Sequence, residues 1–524
     1  MTRYKSVPSV ATGVAVIRPT VFRQITDFAN IFKSFIGTNW IALPFAFRQS
    51  GLLLGCIGLT LIAMATDHCS HLIIKCKKAA VKKVLLSNPK YTDPSTSEEE
   101  LEEIRDATEK KVMYGDIGRI ALGKIGVVLV EVSLLATQFG FCIGYLIFIG
   151  NTIGSLFPVI KLPKLIVNSS MAHNSTDDHL DTKSTAPTFA ILVLIPVLPL
   201  ILMAFIRRVR KLGPVSFISN VSLLIAFTSV LGYMLSGLTF RIKDIKLAKW
   251  ATFPVFFGQV TSAYEGMGTL IPIETSMGDN RKRYPLYLHL AIGIISLILG
   301  GFGITGYLVY GDTTKQISTQ MLPQGQPLVI IVQILLCLAI LFTYPLQLYP
   351  ITEVIESYIF KDGNVKKPPS DIEGKNDGDQ DLSENEPDNE ELIDSNSIVP
   401  GITCVNDIDE TTELLSATDN KMKKPMKKKP NWRKNVLRTL LVLLTAGVAI
   451  ALKDDFAYVG ALCGSLGSST LGFILPCIFH NVLLKETNSK LTVAKNYLLL
   501  LFGVVGGAVG MAVTIMQIVK QFSK

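Results

Sequence analysis

The sequence predicts an all-α membrane protein with eleven membrane-crossing helices. Ten fall in two inverted repeats of five helices, and an eleventh transmembrane helix follows. Three observations predict this. Of 524 residues, 49% are hydrophobic, and the mean hydropathy is +0.40, too apolar for an ordinary soluble chain of this length. The apolar residues fall into eleven blocks, each close to the ~20 residues that a bilayer-crossing helix needs. The first and sixth blocks are both interrupted by glycine and proline, "GTNWIALP" and "EGMGTLIP". Interrupted segments in corresponding positions of two halves point to inverted repeats with a binding site between them.

The elements follow in order. Residues 1–27 form a polar tail. Helices 1–5 occupy 28–239, at 28–48, 52–75, 125–155, 187–206 and 214–239. Helices 6–8 occupy 252–360, at 252–276, 285–309 and 326–352. A polar stretch fills 361–433, and helices 9–11 occupy 434–524, at 434–452, 456–480 and 493–518. The tail shows no short apolar core ending in a cleavage site, so the first helix is expected to serve as the insertion signal.

Basic clusters orient the chain. "KCKKAAVKK", "RRVRK" and "DNRKR" fall on the same side as the N-terminus, which places that side in the cytosol. The loop 156–186 then lies on the opposite face. It carries "NSS" at Asn168 and "NST" at Asn174, both glycosylation acceptors. The net charge of +9 divides unevenly, because residues 371–419 hold sixteen acids and one lysine. The remaining excess of base flanks apolar blocks and reads as topology, with no nucleic-acid partner.

The stretch 361–433 is acidic and then basic and cannot bury a core, so disorder is expected there. "ETTELL", with Glu410, Leu414 and Leu415, and "DNEELI" fit an acidic dileucine pattern, a signal for endolysosomal sorting adaptors. The eight cysteines show no ligand spacing and read as small buried hydrophobes, with no metal site.

The broken helices carry the chemistry. Unwound backbone at bilayer depth is tolerated where it lines a cavity. The half-helix after Gly37, Thr38 and Asn39 turns its positive end toward such a cavity, which suits a carboxylate. Freed carbonyls near Ser262, Ala263 and Tyr264 suit an ammonium. A zwitterionic amino acid meets both. Charged residues inside spans are functional candidates by default. Glu265 sits beside the second break and is the candidate proton carrier, a structural acid being the alternative. Glu131 and Glu274 lie nearer the cytosolic ends and read as gate or ion-pair residues. His68, late in the second span, is a packed interfacial histidine or a titrating one. "TQFGFC" and "TYPLQ" bring Gln138 and Thr343 toward the pocket, with core packing as the equal alternative.

These stretches resemble the amino acid/auxin permease family, most closely its proton-coupled amino acid transporter branch. The resemblance is carried by "KSFIGTNWIALPFAFRQSGLLLG" (33–55), "TQFGFCIGYLIFIGN" (137–151), "SFISNVSLLIAF" (216–227), "AYEGMGTLIPIETSM" (263–277), "LFTYPLQLYPITEVIE" (341–356) and "VGALCGSLGSSTLGFILP" (459–476). It implies a LeuT-type fold and symport of small neutral amino acids with protons. It implies substrate held at Ile36, Gly37, Thr38 and Asn39 and at Ser262, Ala263, Tyr264 and Gly266. The expected role is secondary active transport across a plasma or endolysosomal membrane by alternating access, with a proton as co-substrate. The alternatives are sodium coupling and an amino acid sensor signalling through the cytosolic loop. No nucleophile–base, metal or phosphate-loop spacing supports an enzyme.

Overall fold

The computed structural model describes residues 21–35, 37–92, 94, 96–157, 159–161, 182–206, 213–236, 244–360 and 432–523. The acceptors Asn168 and Asn174, the sorting residues Glu410, Leu414 and Leu415, and Ile36 lie outside them, as does the side chain of Glu265.

The described residues are nearly all helical. From the N-terminus come α1 Val21–Ser34, a 3-10 turn Thr38–Ala42, α2 Leu43–Ser50, α3 Leu52–Leu86, α4 Pro89–Thr92, α5 Glu98–Lys111 and α6 Tyr114–Leu122. Then follow α7 Lys124–Ser155, α8 Phe189–Ala204, α9 Gly213–Ser236, α10 Phe253–Ala263, a 3-10 turn Glu265–Thr269 and α11 Leu270–Ser276. The remainder comprises α12 Tyr284–Tyr310, α13 Pro327–Ile359, α14 Trp432–Ala451, α15 Phe456–Cys463, α16 Leu475–Leu483 and α17 Lys490–Phe522. Two short strands, β1 Val159–Lys161 and β2 Thr182–Ser184, pair antiparallel between α7 and α8. Among the described residues, eight helices are long and apolar enough to cross a membrane.

The breaks predicted from glycine and proline are real breaks in the helical path. α1 ends at Ser34 and helix resumes at Thr38; α10 ends at Ala263 and α11 begins at Leu270. Pro44 falls in the first turn of α2, where a missing N–H costs no hydrogen bond. Pro272 is the third residue of α11 and is accommodated in the same way. Other prolines do not interrupt: Pro196 and Pro199 lie inside α8, and Pro345 and Pro350 inside α13.

Two stretches differ from the sequence expectation. The eighth span reaches past 352 to Ile359. The stretch 76–124 between the second and third spans carries helices: α3 extends to Leu86, and α5 and α6 follow. α5 is capped by Ser97, whose Oγ accepts from Glu100 N at 3.3 Å, and three glutamates fill its first turn, favourable at the positive end of the helix dipole.

The tenth span is itself irregular. Between α15 and α16 the chain takes two π-helical turns, Gly464–Ser468 and Thr470–Ile474. π-turns of this kind recur at functional sites. This region packs on α10 with backbone against backbone. A Cβ at Gly258 would meet the Ala461 carbonyl, and one at Gly464 would meet the Gly258 carbonyl. Small residues of this kind let membrane helices approach closely. None of the seven described cysteines is in a disulfide, and five of them are buried.

Candidate functional site

The two breaks meet. Asn39 Nδ2 donates to Ser262 Oγ at 3.1 Å and approaches the Ser262 carbonyl at 3.4 Å. Gln259 Nε2 donates to the Asn39 carbonyl at 3.4 Å. Ser262 Oγ in turn donates to the Gln259 carbonyl at 2.8 Å. Each contact fills a backbone or side-chain partner at the depth where water is scarce, as buried polar groups require.

A cavity of about 230 Å³ opens beside this junction. Gly37 and Thr38 from the first break line it, with Tyr264, Met267 and Thr269 from the second and Gln138 and Thr343 from α7 and α13. It is smaller than the roughly 300–1,000 Å³ of sites that hold drug-sized ligands, a scale suited to a small molecule. Tyr264 is fixed from behind by a 2.7 Å bond between its hydroxyl and Ser296 on α12. Thr343 donates to the Ala339 carbonyl at 2.8 Å and lies 2.8 Å from Ser219 Oγ on α9. Gln138 Oε1 is buried with no hydrogen-bond partner, an acceptor left for a bound group.

Of the residues expected to hold substrate, Gly37, Thr38, Gln138, Tyr264 and Thr343 share this cavity. Asn39, Ser262, Ala263 and Gly266 are not on its wall. Asn39 and Ser262 bond each other, and a Cβ at Gly266 would strike the Phe35 ring. They shape the junction. Gln347 and Asn220 also line the cavity, and Lys33 stands exposed at the α1 end. Gln347 donates to Tyr145 Oη at 3.3 Å. Asn220 lies within "SFISN", and no spacing in that stretch singled it out.

Two residues beyond Thr38, Trp40 is 2% exposed, and its ring makes edge contacts with Phe227 at 5.0 Å and Phe302 at 5.1 Å. It is not on the cavity wall.

Glu274 is the centre of a buried ionic network. Its Oε2 accepts from Lys77 Nζ on α3 at 2.6 Å, and its Oε1 lies 3.3 Å from Arg281 Nε. Arg281 also pairs with Glu109 of α5, and Lys77 Nζ reaches Thr275 Oγ1 at 2.5 Å. The network straps α3, α11 and α5 together near the α1 end. Glu131 is 3% exposed and accepts from Tyr358 Oη of α13 at 2.6 Å. Lys77 and Arg281 are partners that sequence reasoning did not name, because nothing local marks a lysine 197 residues away.

Comparison with known proteins decides the family. The profile of the family described as Transmembrane amino acid transporter protein matches residues 24–93 and 97–520. The chain belongs to that family. Family members similar to it include Amino acid transporter AVT3B of Arabidopsis thaliana, 26% identical over 93% of this chain and 92% of the relative. Amino acid transporter AVT3C of the same plant is 28% identical over 64% of this chain and 71% of its own length. Vacuolar amino acid transporter 4 of Saccharomyces cerevisiae is 23% identical over 86% of this chain and 52% of its own length. As a family member, the chain is a multi-pass membrane transporter of amino acids and not an enzyme.

Proposed function

We propose that this chain is a proton-coupled symporter of small neutral amino acids, built on a LeuT-type 5+5 inverted repeat with an eleventh helix. The observation that carries the reading is the junction of the two broken helices beside a cavity of about 230 Å³. The backbone around Gly37 and Thr38 supports a role in holding the carboxylate, and the Tyr264 region a role in holding the ammonium. The cavity's small volume favours short side chains. Glu265 is assigned as proton carrier.

The proton is favoured over sodium because Glu265, an ionisable acid, stands at the second break inside an apolar span. One proton is sufficient for uphill transport: a difference of about two pH units is worth ~2.7 kcal/mol, close to a hundredfold concentration ratio.

We place the N-terminus in the cytosol and the protein in an acidic endolysosomal or vacuole-type membrane. The dileucine strings support this, as does the vacuolar name of the yeast relative. There the carrier would move amino acids from lumen to cytosol with the proton gradient.

The test is uptake of a panel of labelled amino acids into proteoliposomes under an imposed pH gradient without sodium. Uptake that collapses with a protonophore and is lost in Glu265→Gln supports the reading. Flux that requires sodium overturns it.

A further inference from the structure

Away from the central cavity, three metal-ligand side chains converge between α3 and α12. Asp67 and His71 stand four residues apart on α3, so they share one helix face. His289 projects from the second turn of α12 onto the same spot. One donor atom from each of the three lies within 4.8 Å of the others. Asp67 Oδ1 is 2.8 Å from His289 Nδ1 and 3.8 Å from His71 Nδ1.

We propose that Asp67, His71 and His289 form a binding site for a zinc-class divalent cation that joins α3 to α12. Four ligands arranged tetrahedrally at about 2.0–2.2 Å from zinc stand roughly 3.3–3.5 Å from one another. The Asp67 Oδ1–His289 Nδ1 separation of 2.8 Å would open by about 0.5 Å to reach that value. His71 Nδ1 donates to the Asp67 carbonyl at 2.8 Å, so His71 would ligate through its Nε2. Two imidazoles and a carboxylate form a donor set that suits zinc, cobalt or iron and not magnesium or calcium, which take all-oxygen shells.

The present contacts leave this set underused. Asp67 Oδ1 accepts no hydrogen bond although His289 Nδ1 is 2.8 Å away, and His71 Nε2 is buried with no partner. The two rings stack at 4.3 Å with planes 22° apart. His289 is 57% exposed, which gives an entry path. An adjoining groove of about 450 Å³, lined by Asp67, His289 and Ser296, leaves room for a water as fourth ligand.

The test uses the full-length, tag-free chain in nanodiscs. Zn²⁺ is titrated in competition with a chromophoric chelator, and Co²⁺ is titrated separately to read its absorption bands. One equivalent of Zn²⁺ should bind, with the Co²⁺ spectrum of a low-coordinate nitrogen/oxygen site. Asp67→Asn, His71→Ala and His289→Ala should each weaken binding at least about tenfold. His68, His173, His179 and His480 remain in these variants, so binding that survives in His289→Ala belongs elsewhere and overturns the proposal. Absence of a bound equivalent in the unsubstituted chain overturns it too. So does a result in which the variants change only the pH profile of amino acid uptake while metal binding is absent, because that assigns the cluster to protons. His289 is largely exposed, so its variant tests the site without removing a packed core residue, and thermal unfolding verifies that each variant is folded.

Discussion

The Asn39 side-chain amide donates to Ser262 Oγ at 3.1 Å, joining residues 223 positions apart at the point where both helices are unwound. Sequence reasoning gave both residues to the substrate. The geometry gives them to each other, and the cavity opens beside their bond.

A double-mutant cycle tests that relationship. Asn39→Ala and Ser262→Ala should each destabilise the protein by about 0.5–1.5 kcal/mol. The double variant should cost little more than either alone, because the two remove one interaction. Thermal unfolding of the four proteins in detergent reads the coupling. Strict additivity would show that the bond carries no stability.

The buried network around Glu274 yields an ordered prediction. Glu274→Gln leaves Lys77 without its carboxylate, at 3% side-chain exposure, and should cost about 3–5 kcal/mol. Lys77→Met should cost less, since Glu274 retains Arg281 at 3.3 Å. Lys77→Met combined with Glu274→Gln should recover part of the loss. Melting temperatures of the three variants check the order, and a milder Glu274→Gln would refute it.

Asp455, between α14 and α15, gives a pH dependence. Burial, and then the neighbouring Asp454, raise its carboxyl from 3.8 to about 6. The folded state therefore holds a proton that the unfolded state has already released between those values, and stability falls as pH rises from about 4 to 6. The ionised carboxylate penalises the fold above that window. Asp455→Asn should raise the melting temperature at pH 7, with the gain shrinking toward pH 4. A gain that is constant with pH would mean that titration of Asp455 is not its source.

Trp40, two residues beyond the cavity-lining Thr38, packs between Phe227 and Phe302. Trp40→Ala should cost about 3–5 kcal/mol in stability. Vesicles carrying it should accumulate less amino acid than those carrying Trp40→Phe, which retains an aromatic ring. Equal steady-state accumulation by the two would show that the ring does not hold the gradient.

What was legible in the chain was local. Gly37, Gly266 and Gly268 marked real breaks because a helix interior disfavours glycine wherever it sits. Pro44 and Pro272 marked the starts of the resumed helices. Prolines 345 and 350 carried the same signal and left α13 unbroken, since packing against neighbouring helices outweighs the local preference. The helix α5 had a readable start in Ser97 followed by Glu100, yet its charge made it look like linker. The π-helical turns at 464–474 left only a run of small residues. The pairing of Lys77 with Glu274, and the meeting of Asp67 with His289, depend on which helices become neighbours. No periodicity within a single segment records that.

The seam between α10 and the tenth span has a mechanical meaning. Gly258 and Gly464 meet there backbone to backbone, with only the small Ser465 hydroxyl at the contact. Interlocked side chains resist sliding like meshed teeth, whereas this face is a plain bearing. Small shear along it forfeits few contacts. The half-helix that carries Ser262 thus runs on a smooth track. Past the break, the Lys77–Glu274–Arg281 strap acts as a brake on α11.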